Sequence, residues 1–329
     1  MATPGSSFAD NIDYPPLLRR PAVFLPLLAI LFLLLLRADT THWAVVSAAM
    51  KAVGRPDSES PAARAAVAAA ITALVGLNLY GLLRLSLRWQ VYLVWLELAA
   101  LLIVFFVSFD LSYAFIRRKI WLLLSQGLVT TLTISAISIV LASILALIGA
   151  MAKLSSNGLA LGVANFYTSL FRGVPLLMQI YLIYLGLPQL GIVVDAVPAG
   201  VAALSLCYGA YMTEIFRAGI ESVPRGQWEA ARALGLSRGD TLTRVILPQA
   251  MRMIIPPTGN QFIAMLKDSA LVSVVGVWEL MYLARTQGQS EFRHIEMMLT
   301  ASLIYWAFSM LLELVQSRIE RRFGVAHAR

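Results

Sequence analysis

Long apolar runs separated by short polar gaps set the rhythm of this chain. They occupy residues 21–36, 65–83, 91–109, 120–152, 163–187, 197–216, 245–266 and 296–316. A helix needs roughly 20 predominantly apolar residues to cross a bilayer. These runs are too continuous for the alternating strands of a barrel, so their backbone polar groups must be satisfied within helices. The pattern predicts an all-α integral membrane protein with about eight transmembrane helices. The run at 120–152 is longer than a bilayer requires, so part of it is expected to tilt or lie at the interface.

The gaps divide the chain. Residues 51–63, KAVGRPDSESPAA, are polar and hold two prolines, which reads as an extramembrane loop. Composition shifts again near residue 117, so residues 1–116 are read as an accessory bundle of three helices and 117–329 as a core of five. The stretch 24–36 behind Arg19 and Arg20 has the look of a secretory signal, but Arg37 and Asp39 stand where small residues would precede cleavage. An uncleaved first span is the expectation.

Composition agrees: 59% of the 329 residues are hydrophobic and 13% charged, with a mean hydropathy of +0.76. The net charge of +8 would suit nucleic acid, but the cations sit in short loops between spans, which is a topological signal. From residue 120 onward, starting from a cytoplasmic amino terminus, the cytoplasmic side receives Lys153, Arg172, Arg217, Arg225, Arg232, Arg238, Arg244 and Arg252. It also receives Arg318, Arg321, Arg322 and Arg329, against Lys267, Arg285 and Arg293 outside. Both termini are expected inside. Arg117, Arg118 and Lys119 fall outside and break the rule. With one cysteine, Cys207, and three scattered histidines, neither a disulfide nor a metal site is expected.

The longest polar interruption in the core, GQWEAARALGLSRGDTLTRVILPQA from Gly226 to Ala250, is regular. Pro224 suits a helix start, and Gly235 can close that helix in the left-handed conformation. Ser237 then caps a second helix, with Asp240 three residues on. At 100° per residue Val223, Ala230, Ala231 and Leu234 share one face, while Arg225, Glu229 and Arg232 share the other and can form local ion pairs.

Within the spans, Glu214 and Arg217 are three residues apart and can pair; an intramembrane ion pair also marks a gate or pathway. Asn260 and Gln261 follow Pro256, Pro257 and Gly259, which loosen the helix and leave these amides either to line a cavity or to bond a neighbouring helix. Lys267, Asp268 and Ser269 either cap a helix or line the outer mouth, capping being the simpler role. Arg172 is read as an anchor at the inner interface. Gln179 and Glu313 are the remaining polar groups in spans.

No G-x-x-x-x-G-K-[ST] phosphate loop occurs, nor any HExxH or GxSxG pattern, so neither nucleotide hydrolysis nor other enzymatic chemistry is expected of this chain. The spacing Glu229-Ala230-Ala231, three residues, Gly235, nine residues, then Val245-Ile246-Leu247-Pro248 resembles the EAA signature of ABC importer permeases. Valine stands where that pattern ends Ile-x-Leu-Pro. RGVPLLMQIYLIYLGLPQLG and ILPQAMRMIIPPTGNQFIAMLKDSALVSVVGVWEL are similar to the polar amino acid subfamily, which takes up histidine, glutamine or glutamate. The resemblance covers roughly residues 120–325 and implies a five-helix type I importer core in the bacterial inner membrane.

It further implies coupling residues Glu229, Ala230, Ala231, Gly235 and Pro248 in a loop at about 221–248. Glu214, Arg217, Gln179, Asn260, Gln261 and Lys267 are candidates for the translocation path or its gate. The implied partners are ABC ATPase subunits that bind ATP and magnesium, an external substrate-binding protein, the amino acid, and a second permease subunit, expected to be a different, related chain. No cofactor is expected in this chain. The competing reading, an ion-gradient-driven secondary transporter, would place a proton or sodium site at Glu214 or Glu313, but no pair of interrupted helices in matching halves supports it.

Overall fold

A computed structural model describes residues 21–37, 61–107, 109 and 111–322. The described residues fall into two compact units, one ending at Leu111 and one beginning at Ser112. The polar loop expected at 51–63 lies mostly outside the described residues, as do the two terminal segments whose cytoplasmic placement was expected.

The first unit contains α1 (Pro21–Arg37), α2 (Pro61–Arg84) and α3 (Leu87–Val107). Gly76 of α2 lets Leu28 of α1 approach so closely that an added Cβ would lie 2.9 Å from it. Between α2 and α3 the polar link is Asn78, whose amide donates to Glu97 at 2.7 Å. A carboxylate in an apolar run needs such a donor.

The second unit begins with α4 (Tyr113–Lys153), a helical run of 41 residues that includes a π turn at Leu123–Leu128. Next come α5 (Gly158–Gly173) and the helical segment α6 (Leu176–Leu190), bent against each other by 106°. Then follow α7 (Ala196–Glu221), the short α8 (Arg225–Ala233), α9 (Leu247–Asp268), α10 (Leu280–Ser290) and α11 (His294–Arg322). Among the described residues there is no strand.

Among the described residues five helices are long and apolar enough to span a membrane, six if the bent α5–α6 pair counts as one. The run at 163–187, expected as a single helix, is that bent pair. The residue before a proline is pushed out of the α region, and Val174, ahead of Pro175, is extended at φ −92° and ψ 132°.

Helices α4 and α7 form the centre of this unit and run in the same direction. Ser205 Oγ donates to the Ser138 carbonyl at 3.5 Å. Further along, a Cβ on Gly209 would lie 3.0 Å from Leu145, and one on Gly149 would lie 2.5 Å from Thr213 Oγ1. Small residues every four positions, Ser138, Ala142, Ala146 and Ala150 against Ser205, Gly209 and Thr213, let the backbones approach where lipid offers no hydrophobic drive between helices.

Three apolar clusters stack along the unit. At one end the start of α4 packs with α10 and α11 through Phe115, Leu123, Leu280 and Met297. In the middle α4, α6 and α7 meet α9 and the turn after it through Ile134, Ile180, Leu204 and Met265. At the other end Ile220, Val223, Ile246, Ala250 and Ile254 tie α7 to the start of α9, with Trp228 of α8 packed against them.

Candidate functional site

The polar segment between α7 and α9 folds as a stiff helix and turn. Helix α8 closes in a Schellman arrangement: Leu236 N–H donates to the Ala231 carbonyl at 3.1 Å and Gly235 N–H to that of Arg232 at 2.9 Å. This requires a left-handed residue, and Gly235 has φ +73°. Ser237 then caps the next turn, accepting from Asp240 N–H at 3.1 Å, while its hydroxyl donates to the Asp240 carboxylate at 2.6 Å. A π turn at Thr241–Ile246 leads into α9, where Pro248 occupies the first turn and leaves no donor unsatisfied.

Two local expectations change. The buried side of α8 is Val223 and Ala231 with Trp228, whereas Ala230 is exposed and Leu234 is 80% exposed. The chain turns back at Gly235, so the last turn of the helix faces outward. Among the described residues Glu229 makes no ion pair; Arg232 Nε instead donates to the Trp228 carbonyl at 3.3 Å.

A second constellation gathers at the α5–α6 bend. Gln179 is buried and donates to the carbonyls of Phe171 at 2.9 Å and Val174 at 2.8 Å, satisfying groups that the break in the helix leaves open. Beside the bend lies a cavity of about 370 Å³, lined by Arg172 to Leu176, by Cys207, Tyr208 and Tyr211 of α7, and by Gln261 and Asp268 of α9. Tyr208 donates to Asp268 at 2.7 Å. Arg172, expected as an interfacial anchor, stands at this cavity with its guanidinium 5.4 Å from the centre of the Tyr211 ring.

Arg172 also approaches Glu214 to 3.5 Å. That carboxylate accepts from Lys153 at 2.5 Å and from Arg217 at 3.1 Å. The expected Glu214–Arg217 pair is thus one part of a cluster joining α4, α5 and α7.

The two amides of α9 separate. Gln261 lines the cavity, while Asn260 accepts from Gln316 of α11 at 3.0 Å. Gln316 also donates to the Pro256 carbonyl at 3.1 Å, at the helix interior weakened by the paired prolines. Lys267 is exposed, Asp268 turns to Tyr208, and Ser269 donates to the Leu266 carbonyl at 2.7 Å.

At the opposite end of the unit, two of the three cations that broke the charge rule share one carboxylate. Arg118 pairs with Glu291, and Lys119 reaches Glu291 at 3.3 Å and Gln287 at 2.7 Å. Nearby, Glu279 accepts from Met281 N–H at 2.9 Å, Tyr282 N–H at 2.6 Å and Tyr305 at 2.7 Å. Burial is the largest influence on this carboxyl and pushes it above its ordinary 4.5, against the pull of those donors. The group locks the start of α10 onto α11.

Residues 138–325 match the profile of the family described as binding-protein-dependent transport system inner membrane component. The L-cystine transport system permease protein TcyB of Bacillus subtilis (strain 168) is 42% identical over 208 residues, covering 63% of this chain and 89% of that protein. The arginine transport system permease protein ArtQ of the same organism is 39% identical over 198 residues, covering 60% and 90%.

Among solved structures, a chain described as an amino acid ABC transporter with histidines superimposes with a TM-score of 0.60 at 36% identity, covering 65% of this chain and all of that one. An inward-facing MetNI methionine ABC transporter gives a TM-score of 0.55 at 19% identity, a likeness of fold.

Proposed function

We propose, for a chain that belongs to the binding-protein-dependent transport system inner membrane component family and is a permease component of an amino acid ABC importer, that α8 is the element through which an ATPase subunit drives transport. The observation that carries this reading is the closed, rigid turn at Gly235, which presents the exposed Ala230 and Leu234 beyond a base buried through Val223 and Ala231. A helix fixed at both ends passes a displacement to α7 and α9 as a rigid body.

In this reading Glu229 and Ala230 face the ATPase, Ala231 seats α8 on the bundle, Gly235 stiffens the turn and Pro248 sets the angle at which α9 leaves. ATP and magnesium are bound by the ATPase. An external binding protein delivers the amino acid, and a second, related permease chain completes the path. Both termini lie in the cytoplasm.

The substrate pauses in the cavity at the α5–α6 bend. An amino acid carries one anionic and one cationic group; Arg172 supplies donors for the first and Asp268 an acceptor for the second. Gln179 holds the bend that shapes the cavity, Gln261 supplies an uncharged amide to its wall, and the Glu214 cluster with Arg217 closes the cytoplasmic side.

Uptake by the reconstituted assembly tests the coupling role. Glu229→Lys and Gly235→Val should each abolish ATP-driven uptake, and full uptake by both would overturn it. Uptake by this chain alone, driven by an ion gradient without ATP, would support a secondary carrier instead.

A further inference from the structure

Arg172 belongs to two constellations at once. It lines the cavity at the α5–α6 bend, with its guanidinium 5.4 Å from the centre of the Tyr211 ring, and it reaches Glu214 at 3.5 Å. Of the cations around Glu214 it is the most loosely held, since Lys153 stands at 2.5 Å and Arg217 at 3.1 Å. It is also the most exposed of them. An ion pair so placed contributes little.

Arg172 can therefore leave the cluster at small cost. Glu214 would keep Lys153 and Arg217, and Arg217 would keep Glu221 at 2.8 Å. A carboxylate entering the cavity offers Arg172 a replacement, and the planar fork of a guanidinium can hold both oxygens of that group. The carboxylate already in the cavity wall, Asp268, accepts from Tyr208 at 2.7 Å instead.

The position of Arg172 gives the exchange a mechanical consequence. It sits in the last turn of α5, just ahead of the extended Val174 where the chain bends. Lys153 ends α4, and Glu214 and Arg217 lie towards the end of α7. The Arg172–Glu214 contact thus ties the end of α5 to α7, in parallel with the Lys153 pair that ties α4 to α7.

We propose that Glu214 is a positioning residue for substrate recognition: it competes with the free α-carboxylate of the amino acid for Arg172. A bound carboxylate draws Arg172 out of the cluster and releases the end of α5 from α7. This inference rests on the reading of the bend cavity as the place where the amino acid pauses, and adds a rule of specificity to it. A molecule of the same shape with an amide in place of the carboxylate would leave the cluster closed. Because coupling is reciprocal, removing Glu214 must tighten carboxylate binding by the factor with which Glu214 opposes it.

Equilibrium binding to the assembly of permease and ATPase chains in nanodiscs, without nucleotide, reads this directly. The external binding protein is left out because it would bind the amino acid itself. The probes are the proteinogenic L-amino acids and, for the one bound most tightly, its α-amide. Arg172→Gln should weaken binding of the amino acid about tenfold or more and abolish its advantage over the amide. Glu214→Gln should tighten binding of the amino acid about two- to fivefold. It should give no gain for the amide, and none when Arg172→Gln is also present. Adding Lys153→Gln should preserve the gain, and this pair replaces the single variant if that assembles poorly. In the unaltered assembly, the amino acid should raise amide hydrogen exchange over residues 214–221 above the level seen with the α-amide.

No gain from Glu214→Gln, or the same gain with Arg172→Gln present, would overturn the competition while leaving the cavity reading in place. Equal hydrogen exchange with the amino acid and its amide would overturn it too. Binding unmoved by Arg172→Gln, or no binding of any probe, would remove the cavity reading and this inference with it.

Discussion

Replacing Glu214 with glutamine removes one charge and little volume. The carboxylate faces Lys153 at 2.5 Å, Arg217 at 3.1 Å and Arg172 at 3.5 Å. Unit charges about 4 Å apart attract by about 4 kcal/mol at an effective dielectric of about 20. Only the Lys153 pair keeps much of that, because Lys153 is 10% and Glu214 25% exposed. Arg172 is 43% and Arg217 36% exposed, so each of these pairs contributes under about 1 kcal/mol.

Removing the carboxylate also leaves Lys153 and Arg172 with no carboxylate partner among the described residues, while Arg217 keeps Glu221 at 2.8 Å, and the expected net loss is about 2–4 kcal/mol. The assay is the thermal midpoint of the assembled complex, expected to fall on the order of 10 °C. Adding Lys153→Gln to Glu214→Gln should restore part of the loss, since it removes the least solvated unpaired cation. A midpoint unchanged in the single variant, or a further fall in the double, would refute the reasoning.

Gly149→Val should destabilise the α4–α7 contact by about 2–4 kcal/mol, because its Cβ would collide with Thr213 at 2.5 Å, and Thr213→Ala should recover part of it in the same melting assay. Because burial lifts the Glu279 carboxyl above 4.5, the folded chain holds that proton more tightly than the unfolded chain. The stability it contributes is fully present below about pH 4.5 and is lost as the pH rises through the folded value. Glu279→Gln should abolish that slope in melting curves recorded across pH, and an unchanged slope would show that another group produces it.

The sequence made some features legible because they depend on neighbours along the chain. The left-handed Gly235, the Ser237 cap and the Glu214–Arg217 pair are all set within a few residues, and all are present. Contacts across the fold were not legible. Nothing in the order of residues says that Asp268 meets Tyr208, sixty positions away, or that Lys153 reaches Glu214.

Periodicity also misled where the chain turns. The apolar run at 163–187 concealed the bend at Pro175, and Leu234 lies outside because Gly235 redirects the backbone there. Arg118 and Lys119, expected outside, were anomalous as sequence because their counter-charge, Glu291, comes from a distant segment. Of the two amides at Asn260 and Gln261, only the packing of α11 decides which bonds a helix and which faces the cavity.

The coupling role of α8 is tested most directly by cross-linking. A single cysteine placed at Leu234, with Cys207 replaced by serine, should form a bond to a cysteine in the ATPase subunit of the assembled complex, with a yield that changes when ATP is added. A complex that takes up amino acid normally while Leu234→Cys stays freely reactive to water-soluble thiol reagents, with no bond to the ATPase, would contradict it.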